Sequence, residues 1–111
     1  VWTRSAVEWL DRIRRWRASG ATELPVEWLA YGSALTQANA AIFDAAHDYA
    51  GCLPGILEVL RAQGLVRGTW TLDPHERLGD GQAAAIARVM REFPSLTDDS
   101  FVAMHRDEWF S

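Results

Sequence analysis

The chain has 111 residues, of which 49% are hydrophobic and 23% charged, and this composition is typical of one globular domain rather than of a disordered chain. The formal net charge of −4 argues against a nucleic-acid-binding domain, which normally presents a basic surface to phosphates. No apolar run reaches membrane-spanning length and no signal-peptide pattern is present, so we expect a cytoplasmic protein without a membrane or nucleic-acid partner.

Residues 4–19 predict an amphipathic helix, because large apolar side chains recur at spacings of three and four among charged residues. Thr3 is the expected N-cap, and Gly20 the expected left-handed terminator. Glu8 and Asp11 precede Arg12 and Arg15 by four residues, which favours surface ion pairs. The basic residues of this helix therefore predict a solvated face or the edge of an interface rather than a phosphate site: Arg12, Arg14, Arg15 and Arg17.

Three tryptophans, Trp2, Trp9 and Trp16, recur every seven residues and so lie along one side of this helix. Packing in a core is the favoured interpretation. An oligomer interface or a cofactor surface is the alternative.

A second helical region is expected from Thr22 and Pro25, with a weak point at Gly32-Ser33. The segment ALTQANAAIFDAAHDYA, residues 34–50, predicts a helix that continues to Ala50, because most of its residues are good helix formers. Gly51 and Pro54 should interrupt it, and the next helix should run from Pro54 to a stop at Gly64.

Residues 66–81 no longer show a helical pattern. The β-favouring residues at 69–72 predict an extended connector. Asp73, Pro74 and Glu76 form a plausible capping box for one helical turn. Asp80 is the expected N-cap of a helix that ends near Phe93, before Pro94.

The last helix should begin at Thr97, followed by Asp98 and Asp99 at the positive end of its dipole. The fold expected is an all-α bundle of five or six helices with one extended connector, forming a single helical unit over residues 1–111.

The histidines are the first candidates for metal binding or catalysis. Asp44 and His47 could share a helix face as metal ligands, but a site would also require His75 or His105 to converge on them. His75-Glu76 lacks the second histidine of a zinc-protease motif. Cys52 is alone, so a structural thiol is favoured over a nucleophile, and we predict no catalytic, cofactor-binding or metal-binding residue.

The chain contains no lysine, and its eleven basic residues are all arginine. A guanidinium keeps its proton at any working pH and does not serve as an amine nucleophile toward a carbonyl. No side chain here can therefore form a Schiff base.

Residues 39–65, NAAIFDAAHDYAGCLPGILEVLRAQGL, nevertheless resemble the carboxy-terminal helices of the dihydrodipicolinate synthase and N-acetylneuraminate lyase family. The helix pattern G-x-x-E-x-L-x-x-x-G-L is matched by Gly55, Glu58, Leu60, Gly64 and Leu65. The connector GTWTLDPHERLGDG and the helix QAAAIARVM follow in the family's order, so that the resemblance covers residues 35–93.

This resemblance implies a class I aldolase that acts on pyruvate or another 2-oxo acid. In the family, a lysine and a tyrosine on strands of a (β/α)8 barrel carry the reaction, and none of these residues matches a position here. The sequence begins Val1-Trp2-Thr3 without an initiator methionine, which favours a carboxy-terminal fragment. The implied partners are the missing amino-terminal barrel and further copies in a homo-oligomer, with a supporting role for this chain.

Two alternatives remain open. One is an independent helical interaction module that binds a partner through Trp2, Trp9 and Trp16. The other is a small catalytic or metal-binding domain. The lyase hypothesis expects the apolar side of the first helix to be partly uncovered by its own chain, whereas the interaction module allows a closed core and one separate patch.

Overall fold

The computed structural model describes all residues, 1–111, and contains helices without any strand. The predicted all-α fold is confirmed. Its five α-helices are α1 (Thr3–Ala18), α2 (Glu27–Ile42), α3 (Cys52–Ala62), α4 (Gln82–Glu92) and α5 (Asp99–Trp109), with short 3-10 turns at Ala45–His47 and Pro94–Leu96.

The core lies where α2, α3 and α4 meet. Small residues on α2, Ala34 and Ala38, let the neighbouring helices approach closely, and Gly55 on α3 lies directly against the backbone of Ile42. Around them lie the larger buried side chains of the core: Trp2, Ile42, Val59, Ile86, Val89 and Leu96.

Helix α2 differs from its prediction at its start, at Gly32-Ser33 and at its end: it begins at Glu27 rather than near Thr22 and Pro25. It runs through Gly32-Ser33 without a break, because a single glycine inside a helix lowers the stability of the helix only modestly. It also ends at Ile42 rather than Ala50. Asp44, Asp48 and Tyr49 all have positive φ, which no α-helix accommodates, so the helix prediction for residues 43–50 is wrong.

Local signals predicted the helix ends correctly at Gly20, Gly64 and Pro94, whereas the break expected from Gly51 and Pro54 is misplaced, since α3 already begins at Cys52. Gly20 and Gly64 take positive φ, and α4 stops just before Phe93-Pro94. At the end of α3, the N–H of Leu65 bonds the Leu60 carbonyl (2.9 Å) and the N–H of Gly64 bonds the Arg61 carbonyl (2.9 Å), which is a Schellman motif.

The predicted N-caps are wrong. Thr3, Asp80 and Thr97 were expected, whereas α1, α4 and α5 are preceded by Trp2, Gly81 and Asp98, none of which makes a side-chain capping bond. The hydroxyl of Thr97 donates instead to the Pro94 carbonyl (3.0 Å). Tertiary contacts therefore position these helix starts.

The connector at residues 63–81 is irregular, with short turns and no strand, and the single helical turn expected after Asp73 is absent. The Asp73 carboxylate accepts the His75 N–H at 2.8 Å, two residues on, instead of the Glu76 N–H that a capping box requires. The Thr71 hydroxyl lies within hydrogen-bond distance of the carbonyls of Asp73 (2.7 Å) and Glu76 (2.9 Å), and its single proton is shared between them at the turn. Local side-chain bonds thus replace helical ones here.

Candidate interaction surface

Helix α1 lies on the outside of the molecule, and none of its residues is buried. Only one side of the helix contacts the rest of the chain. At its start, the backbone N–H of Arg4 donates to Asp98 (3.2 Å) and the hydroxyl of Ser5 donates to the Thr97 carbonyl (2.7 Å). These bonds join α1 to the beginning of α5.

Aromatic rings attach the middle of α1 to α2. Trp9 stacks on Tyr31 with 3.7 Å between ring centroids, and Trp28 meets Trp9 edge-on at 5.6 Å. Trp16 lies 6.1 Å from Trp28, and its indole N–H donates to the Glu23 carbonyl at 2.9 Å. Partial burial in this cluster raises the pKa of Tyr31, because it disfavours the phenolate.

The tryptophan stripe is therefore engaged within the chain. Trp2 is buried in the core, and Trp9 and Trp16 are half-buried against α2. The hypothesis that these three rings form a partner-binding surface is not supported by their placement. The indole N–H of Trp2 is buried without an acceptor, which is a destabilising feature at the edge of the core.

Beside that stripe, α1 exposes a second apolar line to solvent. Val7, Leu10 and Ile13 are 49%, 44% and 39% exposed. We call these three residues the α1 ridge. Val7 also borders a hollow of about 460 Å³ between α1 and α5 that is lined mainly by apolar side chains, including Leu65, Phe101 and Trp109. The apolar side of α1 is thus partly uncovered.

The exposed area of the whole chain is large for its mass. The accessible surface is 7756 Å², whereas a folded monomer of 12.4 kDa typically exposes about 6,100 Å². The radius of gyration is 15.9 Å, compared with about 13 Å for a compact domain of this length. The excess of about 1,600 Å² is twice the area that one partner buries in an interface of standard size.

The charged side chains of α1 form pairs other than those predicted. Glu8 bonds Arg4 (2.8 Å) rather than Arg12, whose guanidinium lies over the Trp9 ring at 5.1 Å. Asp11 lies 3.8 Å from Arg14 and makes no pair with Arg15. The aromatic cluster explains the first difference, because the ring face of Trp9 attracts the cation of Arg12.

A polar junction lies on the other side of the core, where the end of α2 meets the starts of α3 and α4. Asp44 is 6% exposed, and its carboxylate accepts the Gly51 N–H (3.0 Å) and a bond from His47 Nδ1 (2.7 Å). Gln82, 4% exposed, donates to the carbonyls of Ile42 (3.3 Å) and Gly51 (2.9 Å), and its oxygen accepts the Gly79 N–H (2.9 Å). These bonds satisfy backbone groups of the broken helix end.

The candidate metal ligands do not converge. Asp44 and His47 touch, but no group of three histidine, cysteine, aspartate or glutamate side chains is placed to hold a metal ion. His75 lies in the connector turn, and His105 packs against the Phe101 ring on α5 at 4.6 Å. Cys52 is half-buried at the first position of α3. The metal-domain alternative therefore lacks its ligand set.

The Asp44 carboxylate raises the pKa of His47, mainly through its hydrogen bond, with smaller contributions from Asp80 and Asp48. The imidazolium is favoured in the folded chain, so its contribution to stability is complete below the unfolded pKa of about 6.5. It is lost as the pH rises through the higher folded pKa.

We therefore expect the urea midpoint to fall above neutral pH, and His47→Gln to reduce that fall. Proton NMR titration of the His47 ring should also give a lower pKa in Asp44→Asn than in the unsubstituted chain. Equal ring pKa values in the two proteins would contradict this assignment.

Sequence reasoning missed Gln82 and Asp98, which make the long-range polar contacts. Asp98 accepts bonds from Arg4 on α1 and from Gln63 after α3, at 3.2 and 2.8 Å. A glutamine or an aspartate near a helix start carries no signal for such distant partners.

No family model, no curated protein and no solved structure matches this chain. No helix is both long and apolar enough to cross a membrane.

Proposed function

We propose that this chain is the helical assembly part of a Schiff-base aldolase similar to the dihydrodipicolinate synthase and N-acetylneuraminate lyase family. In this proposal the α1 ridge docks onto the enzyme's barrel or onto another subunit of a cytoplasmic homo-oligomer. The observation that carries the assembly role is the exposed area of 7756 Å², which exceeds that of a typical monomer by about 1,600 Å². The chain supplies no catalytic residue.

Four residues of the family-like motif in residues 55–65 have structural roles in the chain. Gly55 allows α3 to approach α2, and Gly64 with Leu65 ends α3. Glu58 accepts two bonds of 2.7 Å from Arg61, and this pairing lowers the pKa of the Glu58 carboxyl. These roles are compatible with the family but are also those of any helix packed this closely. The lyase parent therefore rests on the order of the segments.

The coding region upstream of Val1 tests this proposal first. We expect about 200 residues of alternating strand and helix, with a lysine at a strand end. The full-length protein should then trap pyruvate upon borohydride reduction, with the added mass on that lysine. Replacing the lysine with arginine should abolish the adduct. A start codon within a few residues of Val1, or a full-length protein without such an adduct, would refute the lyase parent.

The second candidate is an independent interaction module, and one observation favours it. The connector displays a separate apolar patch, in which Trp70 is 80% exposed and Leu72 is fully exposed. Trp70 and Leu72 border a hollow of about 590 Å³ together with Leu53, Ile56 and Leu57 of α3. Such a patch is a typical location for a binding hot spot.

Sedimentation of the isolated chain distinguishes the two candidates. If α1 docks onto another subunit, the isolated chain should self-associate through its α1 ridge, and Leu10→Gln should shift the population toward monomer, since the polar side chain weakens apolar contact at an exposed helical position. An independent module should sediment as a monomer with or without Leu10→Gln. Leu72→Gln, at the separate patch, is the matched control.

A further inference from the structure

The arginines beside the α1 ridge carry more positive charge than the neighbouring carboxylates neutralise. Arg17 follows Ile13 by four residues and Leu10 by seven, so it lies on the same face of the helix. No carboxylate lies within 4.0 Å of Arg15 or Arg17, and Arg14 has only the 3.8 Å contact with Asp11. The ridge therefore continues into a basic end of the helix.

The rest of the chain has the opposite charge. Helix α1 contains five arginines and two acidic residues and has a formal charge of +3. The whole chain has a formal net charge of −4, so the residues outside α1 have a net charge of −7. The exposed face of α1 is thus a local basic surface on an acidic molecule, and it coincides with the uncovered apolar line.

We propose that the α1 ridge recognises a protein surface that combines apolar side chains with carboxylates, and that Arg14 and Arg17 select for that acidic character. This inference rests on the proposed docking role of α1 and adds the chemistry of the partner. The apolar contact of Val7, Leu10 and Ile13 supplies affinity. The arginines supply specificity and orientation, because their planar guanidinium groups match carboxylates in two-point bonds.

A protein partner fits this face better than an anionic membrane does. A basic amphipathic helix can also bind an anionic lipid surface. Here the remaining −7 charge lies on the same small molecule, which measures 50 × 38 × 23 Å. At about 0.01 M salt the Debye length is about 30 Å, comparable with these dimensions, so an extended anionic surface repels the acidic body. A protein surface of limited size avoids this repulsion.

Two synthetic helical peptides test the inference. They share one apolar face, and their flanking positions carry glutamate in one peptide and lysine in the other. With fluorescein-labelled peptides and the complete 111-residue chain, anisotropy at low salt should show the glutamate peptide binding at least about tenfold more tightly. High salt should reduce that ratio. The double variant Arg14→Glu/Arg17→Glu should remove or reverse the preference.

Controls separate charge from fold and from apolar contact. The double variant Arg77→Glu/Arg91→Glu makes the same change of net charge at exposed, unpaired positions outside α1 and should leave the preference intact. Leu10→Gln should weaken the binding of both peptides by a similar factor. Circular dichroism confirms that each variant retains its helix content, so that a change in binding does not reflect unfolding.

Three other outcomes would each contradict a specific part of the proposal. Equal binding of both peptides would refute the preference for carboxylates and leave α1 as an apolar docking face. Saturable binding of neither peptide would refute the docking role of α1 and the inference together. Tighter binding to phosphatidylcholine–phosphatidylserine vesicles than to the glutamate peptide would assign the face to a lipid surface instead.

Discussion

Gly55→Ala is expected to destabilise the chain by about 3 kcal/mol, a large fraction of the roughly 5–15 kcal/mol by which a typical domain is stable. A β-carbon at residue 55 would overlap the Ile42 carbonyl oxygen and lie 2.7 Å from the Gln82 amide nitrogen. Neither neighbour can move freely, because Ile42 belongs to the α2 backbone and Gln82 is held by several hydrogen bonds. Urea unfolding followed by circular dichroism measures the loss.

Gly32→Ala is the matched control for this prediction. Gly32 lies in the middle of α2, and a β-carbon there meets no atom within 4 Å. Alanine restricts the unfolded chain and favours helix, so this variant should gain about 0.5–1 kcal/mol. If Gly55→Ala were as stable as the unsubstituted chain while Gly32→Ala behaved as expected, the close contact between α2 and α3 would be refuted.

Gln82→Met is expected to cost about 2–4 kcal/mol, although methionine nearly matches glutamine in size. The substitution leaves the Ile42 and Gly51 carbonyls and the Gly79 N–H without their buried partner. A buried polar group without a partner has lost its hydrogen bonds to water and gains none in the protein, so its desolvation free energy destabilises the folded state. Thermal unfolding and amide hydrogen exchange at Gly79 measure the effect, since this N–H should lose its protection.

Gln37→Met separates this effect from the general consequence of replacing glutamine. Gln37 is exposed on α2 and makes no side-chain hydrogen bond, so its substitution should change stability by less than about 0.5 kcal/mol. A similar small change in Gln82→Met would show that the junction contributes little and that the helices pack through apolar contacts alone.

The helix ends show which parts of this fold are predictable from sequence. Gly64 and Pro94 were correctly predicted as terminators, because positive φ and the missing N–H act within a few residues of the position itself. Asp44 carries no comparable local signal. Its segment is rich in helix formers, yet the buried bonds from His47 and Gly51 hold the backbone in a non-helical turn.

The exposed surface also depends partly on local sequence and partly on tertiary packing. Periodicity correctly predicted that α1 is amphipathic, but two apolar lines lie close together on this helix, and their spacing does not decide which of them faces the core. Packing against Trp28 and Tyr31 buries the tryptophan line and leaves Leu10 and Ile13 in solvent. The placement of the other helices therefore decides which side is free for a partner.

By itself, the sequence determined the all-helical class, most helix positions, the stops at Gly20, Gly64 and Pro94, and the absence of a lysine side chain that could form a Schiff base. These properties depend on backbone preferences and side-chain chemistry that act over a few residues. Only the tertiary structure decided the early end of α2, the polar junction at Gln82 and the identity of the exposed ridge. The polar junction and the exposed ridge arise from contacts between residues distant in sequence. The early end of α2 combines the bonds of Asp44 to His47 and Gly51 with the bond from Gln82 to the Ile42 carbonyl, and together these outweigh local preference.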